Sequence, residues 1–166
     1  MDLSKVKTSD WVIGVSAIVL FIASFLDWFT AEFDGDETFI AGSVSVNAWD
    51  VDGWFFWAFI PVVLGIASLV VVLLQAFSPQ TELPKLPIGW GQAQFIAGAV
   101  AGALVLLKFL IGEEAGDLPG VDVSRSIGIF LALLAGIGLA VGGWLKWQDE
   151  RSGTVASTGT TPPTPF

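Results

Sequence analysis

Four stretches of this 166-residue chain carry no charged side chain: Trp11 to Leu26 (16 residues), Gly53 to Thr81 (29), Leu86 to Leu107 (22) and Ser126 to Leu145 (20). A helix that crosses a hydrocarbon core of roughly 30 Å needs about 20 mainly apolar residues. The last three runs meet that length directly. The first meets it when Asp27, Trp28 and Phe29 sit at the membrane boundary. Core helices of soluble proteins are usually shorter and keep a polar stripe, which these segments lack. The expected fold is therefore an all-α integral membrane protein, a four-transmembrane-helix bundle with spans at about 11–30, 53–77, 90–112 and 125–147. Composition agrees: hydrophobic residues are 54% of the chain, mean hydropathy is +0.74 and only 14% of residues are charged.

The charges also orient the spans. Lys5 and Lys7, Lys85, and Lys146 with Arg151 fall in the N-terminal segment, the second connection and the tail. The first connection holds Glu32, Asp34, Asp36, Glu37, Asp50 and Asp52, and the third holds Glu113, Glu114, Asp117 and Asp122, neither with a basic residue. Short loops rich in Lys and Arg stay in the cytoplasm. Both termini are thus expected inside a plasma membrane, with the acidic loops at 31–52 and 113–124 outside. The formal net charge is −9, and all of it is outside: the two outer loops hold −10, and Asp27, Lys108 and Arg125 at the span ends add +1. Trp11, Trp90, Trp144 and Trp147 fall at the expected inner boundary and Trp28, Trp54 and Trp57 at the outer one, where an indole keeps its ring in apolar surroundings and its N–H near a polar partner. A cleaved signal peptide is the alternative for the N-terminus. No small-x-small site follows the first run promptly, so an uncleaved anchor is expected.

Outside the bilayer, Thr38-Phe39-Ile40 and Ser43-Val44-Ser45-Val46-Asn47 alternate apolar and small polar residues around Ala41-Gly42. This pattern reads as a short extracellular β-hairpin in the first outer loop. Two strands alone are marginal in water, so the hairpin needs the membrane surface, the third loop or another subunit beneath it. Its residues Phe39, Val44 and Val46, with Trp49, form the expected outer contact surface. Pro79, Pro84 and Pro87 stiffen the inner loop. The domain is taken as 1–147, and 148–166, rich in Ser, Thr, Gly and Pro, as a disordered cytoplasmic tail.

Candidate sites are few. His, Cys and Tyr are absent, which removes disulfides, thiol nucleophiles, imidazole bases and ordinary zinc, copper or haem ligation. Asp27 and Lys108 each lie 16 residues along helices of the same direction, from Trp11 and Gln92, and so reach similar depth at 1.5 Å per residue. An intramembrane ion pair is expected, with independent snorkelling, an ion relay or competition from Arg125 as alternatives. Gly98-x-x-x-Gly102 and Gly138-x-x-x-Gly142 are helix-packing faces, expected between spans three and four, with a subunit contact as the alternative. Pro61 is expected to kink span two. Asp34-Gly35-Asp36-Glu37 lacks the spacing of a calcium loop and reads as a solvated acidic face. A Ser24–Lys108 dyad or a pair of loop carboxylates can be drawn, but nothing fixes either geometry. No catalytic residue, cofactor or metal site is assigned. Nucleic acid is not an expected partner, given the outer acidity.

The string Ser45-Val46-Asn47-Ala48-Trp49-Asp50 before an aromatic second span, the Asp27-Trp28-Phe29 end of span one, the Pro-rich inner loop and the Gly-rich last span together resemble small, uncharacterised four-span membrane proteins of actinobacteria. That resemblance covers about residues 10–147 and implies layout, with no catalytic residues to carry over. The plan is also similar to that of claudins, whose paired loop cysteines are missing here. The expected role is a non-catalytic accessory or scaffold subunit in the lipid bilayer. Its acidic outer loops and hairpin would contact other membrane subunits or a second copy of itself. The alternative is a component of an oligomeric cation channel or transporter.

Overall fold

The computed structural model describes residues 6–33, 42–78, 84, 86–113 and 121–158, with side chains up to Ser152 in the last segment. Four helices form an up-and-down bundle: α1 (Thr8–Ala23), α2 (Ile60–Phe77), α3 (Trp90–Ile111) and α4 (Ile127–Thr158). Three strands, β1 (Asp27–Phe33), β2 (Gly42–Asn47) and β3 (Val121–Arg125), form an antiparallel sheet at one end, in the order β2-β1-β3. The helices pack in a ring, each against its chain neighbours, and α4 closes the ring against α1.

Three helical segments are long and apolar enough to cross a membrane: Phe55–Phe77, Trp90–Ile111 and Ile127–Ser152. The helix α1 has 16 residues, about 24 Å at 1.5 Å per residue, and is shorter than expected. What ends it is the Asp27-Trp28-Phe29 string, which forms strand rather than the last turn of a span. The Trp28 ring is buried and its Nε1 donates to the Ala23 carbonyl oxygen at 2.9 Å. That bond satisfies one of the carbonyls a helix leaves open at its C-terminus. Trp28 is therefore a core residue, not part of an interfacial belt.

The helix faces are the reverse of those in a water-soluble bundle. Trp11, Val15, Ile18 and Ile22 of α1 point outward, as do Val63, Val70, Ile96, Val100, Leu134 and Val141 of the other helices. Inside lie small residues, a few polar ones and the apolar side chains of Ile13, Leu20, Val105, Ile129 and Leu139. A contiguous exposed apolar belt of this kind needs lipid or protein around it.

The packing of α3 on α4 depends on glycines. A Cβ built at Gly98 would lie 2.5 Å from the Leu139 carbonyl carbon, one at Gly136 would lie 2.7 Å from the Gly102 Cα, and one at Gly143 would lie 2.5 Å from the Phe95 nitrogen. Such backbone approach gains dispersion contacts where lipid removes the hydrophobic drive between helices. The expected Gly98/Gly102 face does meet α4. The Gly138/Gly142 face does not meet α3: Gly138 faces the Ser16 hydroxyl and Gly142 faces Ile13, both on α1. The spacing marks a smooth face but does not say which neighbour it serves.

Pro61 sits at the start of α2, immediately after a π-helical turn at Phe55–Phe59. Proline cannot donate to the carbonyl one turn back, and the wider turn accommodates the missing bond. α4 is helical through Thr158, so the first part of the expected tail continues the last helix. At that end Lys146 pairs with Asp10 at 2.6 Å, and Glu150 Oε1 accepts the Gly91 N–H at 2.8 Å, which caps the first turn of α3. This end gathers the start of α1, the end of α4 and the start of α3.

Candidate functional site

The opposite end carries the sheet. β1 is central, and its residues alternate between two faces. Phe29, Ala31 and Phe33 pair with Val46, Val44 and Gly42 of β2, and Ala31 and Phe33 with Val123 and Val121 of β3. Cross-strand partners share a face, so this face is apolar apart from Arg125, which pairs with Phe29 at its near end. Thr30 pairs with Ser45 and Ser124 on the other face. There the Thr30 hydroxyl lies 3.0 Å from the Ser45 hydroxyl and 2.7 Å from that of Ser126.

The sequence hairpin is therefore corrected in its pairing. Gly42–Asn47 is a strand, but its partner is Asp27–Phe33, and a third strand from the second acidic loop completes the sheet. Thr38, Phe39 and Ile40 lie outside the described residues, as do Asp34 to Glu37. A third strand supplies the support that two strands lack.

Several bonds tie the sheet to the bundle. The Ser126 N–H donates to the Trp28 carbonyl at 2.8 Å, and the Ala48 N–H donates to that of Ser24 at 3.3 Å. Trp49 Nε1 donates to the Ser24 hydroxyl at 3.2 Å, and Asn47 Oδ1 accepts the Trp49 N–H at 2.8 Å. Trp49 and Val46 are partly buried against the core. Of the expected outer contact residues, only Val44 is a fully open described position, at 56% exposure.

Lys108 lies beneath the near end of the apolar face. Its side chain is almost fully buried, its Nζ is 2.6 Å from Glu113 Oε1, and it lies over the Phe29 and Trp57 rings at 5.6 and 5.9 Å. The expected Asp27–Lys108 pair is not formed. Because α1 stops at Ala23, Asp27 is an exposed residue at the start of β1, and the carboxylate that reaches Lys108 comes from just past the end of its own helix. Arg125 is also engaged, with Nε donating to the Phe109 carbonyl at 2.8 Å and its guanidinium 4.9 Å from the Phe109 ring. The Ser24–Lys108 dyad is not assembled either: Ser24 Oγ donates to the Phe21 carbonyl at 2.7 Å.

The base of the sheet thus meets two helices, β1 packing on α4 and the Phe29 and Arg125 side chains touching Lys108 and Phe109 of α3. Along the apolar face is an open groove of about 380 Å³. Phe29, Phe33, Val44 and Val123 line its apolar roof, and Asp50, Asp52 and Glu113 stand at its edge. Lys108 offsets Glu113, which leaves the two aspartates as surplus negative charge. Alternation along 43–47 signalled one strand of this roof. The second signal, Val121-Asp122-Val123, is only a few residues long and pairs with a segment some 90 positions away, so no local pattern announces it.

Among the described residues, no group of three or more His, Cys, Asp or Glu side chains is placed to hold a metal ion. Within the bundle, Gln94 Nε2 donates to the Ser68 carbonyl at 3.3 Å. Between Gln94 and Lys108, the inward positions of α3 are Gly98, Ala101 and Val105. No protein-family profile and no curated protein sequence matches the chain.

Proposed function

We propose that this chain is a non-catalytic accessory or scaffold subunit of the plasma membrane, with the sheet end as its contact surface for a partner. The observation that carries the reading is the contrast between the two regions. The bundle interior is filled mainly by apolar and small side chains, with Ser16, Ser68 and Gln94 as its few polar ones, whereas the sheet end presents a groove and, among the described residues, an open strand. Ion or solute transfer needs a polar path through the bundle, and the apolar stretch of α3 between Gln94 and Lys108 offers none within one copy.

Four spans fit this reading. The helix α1 packs between α2 and α4, and its outward face is apolar from Trp11 to Ile22. A helix wedged between two spanning neighbours stays at their depth. The distribution of Lys and Arg supports cytoplasmic termini and an external sheet end.

The test places a photo-crosslinking side chain at Val44, on the sheet, or at Val63, on the outward face of α2, in native membranes. Discrete adducts to one protein from Val44, but not from Val63, are expected. A strictly monomeric particle with no adduct from Val44 contradicts the proposal. The second reading, a subunit of an oligomeric cation channel, draws on the acidic outer face, which concentrates cations. It requires a multimeric particle in detergent and cation flux into liposomes that falls in D27N.

A further inference from the structure

Among the described residues β2 is an edge strand, and its own sequence carries none of the protection such strands usually have. The strand order leaves its outer side unpaired among the described residues. Its sequence, Gly42-Ser43-Val44-Ser45-Val46-Asn47, holds no charge and no proline. The one irregularity in its pairing falls at Asp27/Phe29, so the stretch from Gly42 to Val46 runs in regular register with β1. Natural sheets normally blunt an exposed edge with lysine, proline, a bulge or a covering segment. The other edge strand, β3, carries Asp122 and Arg125. An edge left open in this way is a template for another extended backbone.

Two more observations specify the chemistry of the guest. Val44 and Val46 belong to the apolar groove face, so a strand added beside β2 extends that roof and sets its alternate side chains next to them. Asp50 and Asp52 stand at the groove edge, a few residues past the end of β2, and both are exposed. The nearby cations are already engaged, Lys108 with Glu113 and Arg125 with the Phe109 carbonyl. A second copy of this chain is the wrong guest, because β2 against β2 brings two acidic loop sets together.

We propose that an extended, basic segment of a partner protein adds to the outer edge of β2. Its apolar side chains cover Val44 and Val46, and its lysine or arginine side chains reach Asp50 and Asp52. This rests on the scaffold reading and names the chemistry of the partner. Backbone hydrogen bonds to the β2 edge hold the guest, and the apolar roof and the two aspartates select it.

The experiment uses the full chain in nanodiscs and a short acetylated, amidated peptide of alternating valine and lysine, with binding followed by fluorescence anisotropy. Saturable binding is expected. It should weaken by about tenfold or more when alternate peptide amides are N-methylated, when valine–glutamate replaces valine–lysine, and in V44K. Because V44K also alters the roof, D50N/D52N is the second variant, and it should weaken the lysine peptide and narrow its preference over the glutamate one. Absence of saturable binding overturns the proposal. So does equal binding of the N-methylated peptide, which signals charge attraction alone. A disulfide-linked dimer formed efficiently by S45C makes a second copy the guest and also overturns it. If the peptide fails while Val44 still crosslinks to a single protein in membranes, the basic strand is wrong and the scaffold reading stands.

Discussion

Replacing Gly98 with alanine tests the helix packing most sharply. The added methyl would sit 2.5 Å from the Leu139 carbonyl carbon, against backbone that cannot rotate away. Carbon atoms need about 3.5 Å, so α3 and α4 must part locally by about 1 Å. A gap of that size forfeits a quarter to a half of each contact's ~0.1–0.2 kcal/mol. Over on the order of 30 atom pairs, G98A loses about 1–2 kcal/mol, within the usual range for an overpacked core. G143A acts at the same interface one turn away, where its methyl would lie 2.5 Å from the Phe95 nitrogen. Once the helices have separated for one methyl, the second costs less. The double variant should therefore fall short of the sum by about 1 kcal/mol. G42A, with open space around it, is the control. The assay is reversible unfolding in mixed micelles, read from tryptophan fluorescence. A neutral G98A, or strict additivity with G143A, refutes the close packing of these backbones.

Other consequences concern the sheet end. E113Q leaves a nearly buried Lys108 ammonium without its carboxylate and should destabilise by about 2–4 kcal/mol, whereas K108M, which removes the charge and keeps the stem, should stay within about 1 kcal/mol of the parent. Denaturation of the two variants side by side distinguishes an ion pair from a packing role. W28F keeps most of the ring but loses the bond to the Ala23 carbonyl, and should cost about 1–2 kcal/mol, with faster hydrogen exchange at the end of α1. G53A should lower the thermal midpoint, because Gly53 has φ of 72° and a Cβ there would lie 2.9 Å from Trp57 Nε1. An unchanged midpoint argues against that left-handed turn.

What the sequence revealed followed from how local the determinant was. The helical segment Phe55–Phe77 and α3 were legible to within a residue or two, because a long uncharged run has few ways to satisfy its backbone other than as a helix. The end of α1 was not, since Trp28 and Phe29 are as apolar as a span end, and only the indole bond back to Ala23 shows that the chain has turned into a strand. One strand of the sheet was visible in the alternation of 43–47. Its partner was misplaced, because pairing with 27–33 depends on a register that distant contacts set. The Lys108 site was half legible: a buried lysine near the end of a span announces a partner. Equal helical rise pointed to Asp27 only on the assumption that α1 runs four residues further than it does. The glycine faces were recognised as packing surfaces, but their 3.6-residue period is silent on which neighbour each meets.

The central claim is that the bundle lies in the membrane with the sheet outside and both chain ends within. The chain has no cysteine, so single-cysteine reporters are free of background. D122C, on the face of the sheet away from the groove, and Q148C, near the end of the last apolar span, are treated in intact cells with a membrane-impermeant maleimide. The account predicts that D122C is labelled from outside and Q148C only after permeabilisation. Labelling of Q148C in intact cells, or protection of D122C in a folded sample, contradicts it.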